Sequence, residues 1–179
     1  MKKLILAAVA VAIGVGAVYA ANPDQLIVTC TPSLTYAVTI STPAAGLTFS
    51  AVDVNQTYVN TDTATVTNSG NVSADWTIKG AAIDTWQLAS APGSDAVRLL
   101  GCLKDGTATS GEFDVNLDTI TVVEADLNAY NYTAGTTGNN VAVSGSRLMS
   151  LRLDSPTDST VSIDQKFRVE IKAYVSSKF

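Results

Sequence analysis

The chain contains no histidine. That absence excludes Ser–His–Asp and Cys–His nucleophilic centres, His-ligated zinc and the commonest general base near neutral pH. Cysteine is almost absent too: Cys30 and Cys102 stand far apart, with no C-x-x-C pair and no ligand partners for a zinc site. No G-x-S-x-G elbow, phosphate loop or dinucleotide fingerprint occurs. Basic residues are scarce, 11 against 16 acidic, giving a net charge of −5. Nucleic acid and anionic membranes both require a basic face, so neither is an expected partner. Aromatic residues make up 7% of the chain, too few for the girdles of an outer-membrane barrel. The chain is therefore not expected to be an enzyme, and no catalytic residue or cofactor is assigned.

The first residues point to export. Met1-Lys2-Lys3 is a short positive start, residues 4–18 are apolar, and Val18-Tyr19-Ala20 places small residues at −3 and −1. This is the pattern of a signal peptide spanning 1–20 and cleaved before Ala21. The apolar run is about 15 residues, short for a bilayer span. The remaining chain is expected to be secreted, with no membrane span. Without Lys2 and Lys3 its balance is 9 basic against 16 acidic residues, or −7. At 46% apolar residues and 15% charged, it has the composition of a folded chain, read as one domain over 21–179.

That domain reads as all-β. Leu34, Tyr36, Val38 and Ile40 alternate with polar or small residues, the period of a half-buried strand. Residues 47–54 repeat the pattern with a change of parity near Ser50-Ala51, which suggests a bulge. Residues 61–67 and 72–79, separated by Asn68-Ser69-Gly70-Asn71, read as a hairpin. The nearly continuous apolar run 96–103 suits a central strand buried on both faces. Residues 124–130 suggest one helical turn, and 131–140 a surface loop. Strands over 148–153 and 167–175 complete a set of nine to eleven, spaced as in an immunoglobulin-like or jelly-roll-type β-sandwich.

In an oxidising compartment, Cys30 and Cys102 read as one disulfide; two buried thiols or a link between subunits are the alternatives. The bond would close a loop of about 70 residues, worth roughly 4 kcal/mol. Asp75 beside Trp76 and Asp84 near Trp86 are the nearest approach to a sugar-binding or carboxylate site, but both tryptophans fit core positions better. Asp154, Asp158 and Asp164, with Asp53 and Asn55, offer hard oxygen ligands for calcium, although no spacing matches a calcium loop. Asn55, Asn71 and Asn131 head glycosylation sequons, which chance supplies in so Thr-rich a chain.

The stretch Thr61-Asp62-Thr63-Ala64-Thr65-Val66-Thr67-Asn68-Ser69-Gly70-Asn71-Val72-Ser73-Ala74-Asp75-Trp76 resembles the strand–turn–strand of secreted immunoglobulin-like domains. With Leu47-Thr48-Phe49 before it and Gln165-Lys166-Phe167-Arg168-Val169-Glu170-Ile171-Lys172-Ala173 as a last strand, the order is similar to the TasA/camelysin family of biofilm-fibre proteins and to archaeal bundling pilins. The resemblance implies an extracellular structural subunit that polymerises with copies of itself by donor-strand addition. The implied donor lies within 21–40 and carries Leu26, Val28, Leu34, Tyr36, Val38 and Ile40; the alternative is that this segment is the first strand of its own sheet. The competing function is a secreted carbohydrate-binding or adhesion module, which would display Trp76 and Trp86 together.

Overall fold

The computed structural model describes residues 29–43, 46–104, 106–127 and 137–175. The chain falls into two units, Met1–Ser33 and Leu34–Phe179. Of the first, only residues 29–33 are described, and they are irregular and exposed. The second is an all-β sandwich. Its described strands are β1 (Val38–Ser41), β2 (Thr57–Val59), β3 (Ala64–Asn68), β4 (Ala74–Ala82), β5 (Gln87–Leu88), β6 (Ala96–Lys104), β7 (Thr119–Ile120), β8 (Ala125–Asp126), β9 (Ser146–Asp154) and β10 (Phe167–Val175), with one 3-10 turn at Ser110–Glu112.

The larger sheet is centred on β6 and β9, antiparallel, with Leu99 opposite Leu153 and Leu103 opposite Met149. Both strands carry apolar residues on alternate positions, so one face of each is committed to the interior. On the far side of β9, β2 and β3 act as one interrupted strand: Val59 faces Arg152 and Ala64 faces Met149. The buried Asn60 organises that interruption. Its backbone N–H donates to Leu151 O (2.9 Å), its side-chain amide to Thr48 O (2.6 Å), and its Oδ1 accepts from Asp62 N (2.8 Å). β1 lies outside β3, while parallel β5 and antiparallel β7 flank β6.

The smaller sheet has β4 at its centre. β10 pairs with it over nine residues, from Phe167 opposite Ala82 to Val175 opposite Ala74. The other side of β4 is covered in pieces. β8 pairs with Thr77 and Ile78, Gly80 N donates to Thr121 O, and Trp76 N donates to Gly138 O. Between the sheets lies one core, including Trp76, Ile78, Ile171, Leu99, Leu103, Leu151 and Val66. Ile120 wedges into it where two glycines leave room. A Cβ on Gly101 would sit 2.9 Å from Ile120 Cδ1, and one on Gly80 2.9 Å from its Cγ2. On the opposite face of the large sheet Leu100, Cys102 and Ser150 are buried as well. The segment 106–118 lies over them, with Ala108 N donating to Ser150 Oγ (3.0 Å) and Gly101 N to Asp118 O (2.9 Å). β6 is thus covered on both faces, as its apolar run requires.

Three sequence expectations are corrected. The hairpin over 61–79 does not form: β3 belongs to the large sheet and β4 to the small one. The turn between them is a corner that changes sheets, because the buried Asn68 side chain bonds across the gap to Val72 O (2.9 Å) and Val141 O (2.8 Å). Residues 124–127 form no helical turn; Ala125–Asp126 is β8, drawn into extended pairing by β4, and 128–130 lie outside the described residues. Residues 47–52 are not a ladder strand, and Ala51 takes a positive φ of 51° at the expected break in parity.

Trp76 is wholly buried, and a Cβ on Gly138 would come within 3.1 Å of Trp76 Cβ. Replacing Trp76 by Ala is therefore expected to cost about 3–5 kcal/mol, read as the loss in unfolding free energy by urea titration.

Candidate functional site

The sequence singled out four groups of residues. The tryptophans lie in the core. Trp76 has no exposed surface, and Trp86 is 9% exposed with its Nε1 donating to Ser159 Oγ (2.9 Å). Trp76 offers no ring face to solvent, while Trp86 lines a groove beside β10. Of the acidic group, Asp154 is taken up by two arginines and a threonine. Arg98 Nε (2.8 Å), Arg152 Nε (2.8 Å) and Thr57 Oγ1 (2.9 Å) all bond to it. Burial acts to raise its pKa, but Arg98 and Arg152 outweigh that and hold it below the ordinary value. Asp158 accepts from Ser94 Oγ. Among the described residues no cluster of three or more His, Cys, Asp or Glu could hold a metal ion.

The two cysteine sulfurs are not joined. Cys30 is exposed, whereas Cys102 is sealed under the segment 106–118. Burial, and then the Asp118 carboxylate, push the Cys102 thiol up to about 11, so it stays protonated and unreactive. Asp118 itself gave no sequence signal. It is 1% exposed; Oδ2 accepts from Asp114 N (2.7 Å), and Oδ1 has no partner among the described residues. Burial pushes this carboxyl up to about 6.

The donor residues fall into three sets. Leu26 and Val28 lie outside the described residues. Leu34 is 57% exposed. Val38 and Ile40 belong to β1, opposite Asn68 and Val66 of the same chain, and Tyr36 packs against the core. Residues from 36 onward are therefore built into their own sheet.

What the sequence did not single out is an acceptor. β10 is the outer strand of the small sheet, and its hydrogen-bond parity can be fixed. Ile83 N donates to Lys166 O (2.9 Å), so the even-numbered residues of β10 bond to β4. The even-numbered residues of β4 bond the other way, as Trp76 and Gly80 show. Hence Phe167, Val169, Ile171, Ala173 and Val175 turn their N–H and C=O groups outward, with no strand hydrogen-bonded to them among the described residues, although β1 comes close to β10. Beside this edge a groove of about 790 Å³ opens into the core. Phe167 and Val169 line one side of it, Leu47, Phe49 and Val52 another, and Leu151 and Leu153 its base. Residues 47–52 make no backbone ladder among the described residues either, although Thr48 O accepts the Asn60 amide. The signal for this edge was in the sequence, as apolar residues alternating with Arg168, Glu170 and Lys172, but alternation alone does not say whether a strand is central or outermost.

The buried Asp118 sets a pH dependence. Its folded-state pKa of about 6 lies above the unfolded value. The stability tied to its protonated form is complete below the unfolded value and lost as pH rises through 6, a swing of roughly 3 kcal/mol. Urea midpoints are therefore expected to fall between about pH 4 and pH 6, between the unfolded and folded values. In Asp118→Asn, whose amide keeps an oxygen for Asp114 N, that fall should vanish. No family model, no curated protein and no solved structure matches the chain.

Proposed function

We propose that this protein is a non-enzymatic structural subunit of an extracellular fibre or cell-surface layer, and that copies associate by β-strand addition at the open edge of β10. One observation carries the reading: five alternate residues of a nine-residue outer strand turn their N–H and C=O groups outward, beside an apolar groove. An unpaired edge of that length is an aggregation hazard unless it has an intended partner. A strand laid along it gains ladder hydrogen bonds from β10 and buries alternate side chains in the groove, the two ingredients of β-augmentation. The signal-like N-terminus supports an extracellular setting, and the lack of histidine fits a role without catalysis. Within the expected donor, residues from Tyr36 on serve their own sheet.

Proline at an outward-facing position separates association from folding, because it removes a donor that β4 does not use. Ala173 is such a position. The secreted protein is expected to associate in light scattering and to form assemblies in negative-stain microscopy. Ala173→Pro should keep its β circular-dichroism spectrum and remain monomeric. If the proline at 173 unfolds the domain, Val175→Pro, at the 54%-exposed strand end, should weaken association without unfolding. Assembly of the folded proline variants at wild-type concentrations, or a monomeric wild type at high concentration, would overturn the reading.

A further inference from the structure

We infer that the strand added to β10 is β10 of a second copy, paired antiparallel about a two-fold axis through Ile171. The inference rests on the edge-pairing part of the strand-addition reading and names the partner at that edge; the groove is not filled by it, because the partner's apolar side chains stay in its own sandwich.

Parity limits the choices. Hydrogen bonds between two β10 edges require outward-turned residues to face each other, so odd positions must pair with odd and even with even. Side chains at odd positions are apolar and directed to the sandwich interior; those at even positions, Arg168, Glu170, Lys172 and Tyr174, lie on the outer face. An axis through Ile171 overlaps all nine residues. It sets Glu170 against Lys172 of the second copy, twice by symmetry, and Arg168 against Tyr174, also twice. Opposite charges at facing positions stabilise an antiparallel pair, and Arg over a tyrosine ring adds a cation–π contact.

The neighbouring registers lack this match. An axis through Glu170 puts Glu170 against itself and Arg168 against Lys172. An axis through Lys172 puts Lys172 against itself. An axis through Val169 pairs Arg168 with Glu170 twice but overlaps only residues 167–171 of β10 and sets Lys166 against Lys172, and one through Ala173 loses the Glu170–Lys172 pairs and shortens the overlap to 171–175. Only the alignment through Ile171 combines opposite charges at facing positions with an overlap of all nine residues of β10.

Glu170 is held by Lys79 (3.3 Å), Lys172 by Glu124 (3.3 Å), and Tyr174 Oη donates to Asp126 (3.0 Å), so three of the four even side chains are fixed on the outer face by partners on β4 and beyond it. Pairing fuses two three-stranded sheets into one of six. It also aligns Phe167 with Val175 of the other copy, covering a valine that is otherwise 54% exposed. A two-fold contact closes at this edge, so growth beyond the dimer runs through a different surface.

The test is cross-linking and charge reversal in the secreted chain, with Cys30→Ser to remove the exposed thiol. Glu170→Cys together with Lys172→Cys places thiols at facing, non-hydrogen-bonded positions. Mild oxidation should give a dimer whose mapped peptides join 170 to 172. Glu170→Lys or Lys172→Glu alone should raise the dimer Kd on the order of tenfold, since each turns two attractions into repulsions. The double reversal should restore it. The inference is overturned if no 170–172 link forms and the reversals leave association unchanged. If Ala173→Pro is nevertheless monomeric and deletion of residues 21–33 abolishes association, the edge takes the N-terminal segment instead and strand addition stands. If Ala173→Pro still associates, strand addition at β10 fails as well.

Discussion

The fold turns on the side chain of Asn68. It ends β3 in the large sheet, six positions before β4 begins in the small one, and it is wholly buried. Its amide nitrogen donates to Val72 O, Val141 O and, at 3.2 Å, Ala142 O, while its Oδ1 accepts from Gly70 N (3.0 Å). Its backbone takes part too, with N bonded to Gly145 O and O to Ser144 N. One residue thus ties the end of one sheet, the start of the other and the segment leading into β9. An aliphatic side chain of similar size would leave Gly70 N without this acceptor and Val72 O without this donor, each loss costing about 1–3 kcal/mol, whereas Val141 O and Ala142 O keep Ala74 N and Gly145 N. Gly70 completes the corner: a Cβ there would lie 2.3 Å from Thr35 O, so the chain before β1 closes directly over the turn.

With the corner set, the distance between the sheets follows from small residues facing a large one. Gly80 on β4 and Gly101 on β6 both give way to Ile120, which reaches them from β7. Trp76 fills the other end of β4, under Gly138. The smaller sheet is asymmetric as a result. One flank of β4 is closed by fragments, namely Thr121, β8, Gly138 and Val141, and the other by a single straight strand that ends the sheet. Fragments need no further partner, whereas a straight outer strand presents a regular row of peptide groups.

Much of this was legible in the residues. Period-two alternation placed β9 and β10, and the continuous apolar run identified β6 as covered on both faces. The all-β sandwich follows from those patterns. Pairing was not legible. Thr-rich segments around Asn-Ser-Gly-Asn read as a hairpin because a tight turn and a sheet-changing corner use the same residues. The buried bonds of Asn68 to Val141 and Ala142, 73 and 74 positions away, decide between them. Cys102 was legible as buried but not as shielded by 106–118, because that segment reads as a polar loop. Asp118 was invisible in the same way, a single aspartate in a turn-rich stretch whose burial depends on the strand beneath it. The outer position of β10 could not be read either, since side-chain alternation reports faces and not neighbours.

The register of β4 against β10 carries a kinetic consequence. Ile78 meets Ile171 across more than 90 residues of chain, and β3 meets β9 across about 80. Contacts of such sequence separation form late, because the loop entropy of closing them must be overcome before any ladder bond is gained. Until β10 docks, Trp76 and Ile78 lack one flank of their sheet, and no local hairpin is available to shelter them. The chain therefore stays open until nearly all of it can take part. That delay makes completion of the small sheet and creation of its unpaired outer edge a single, final event.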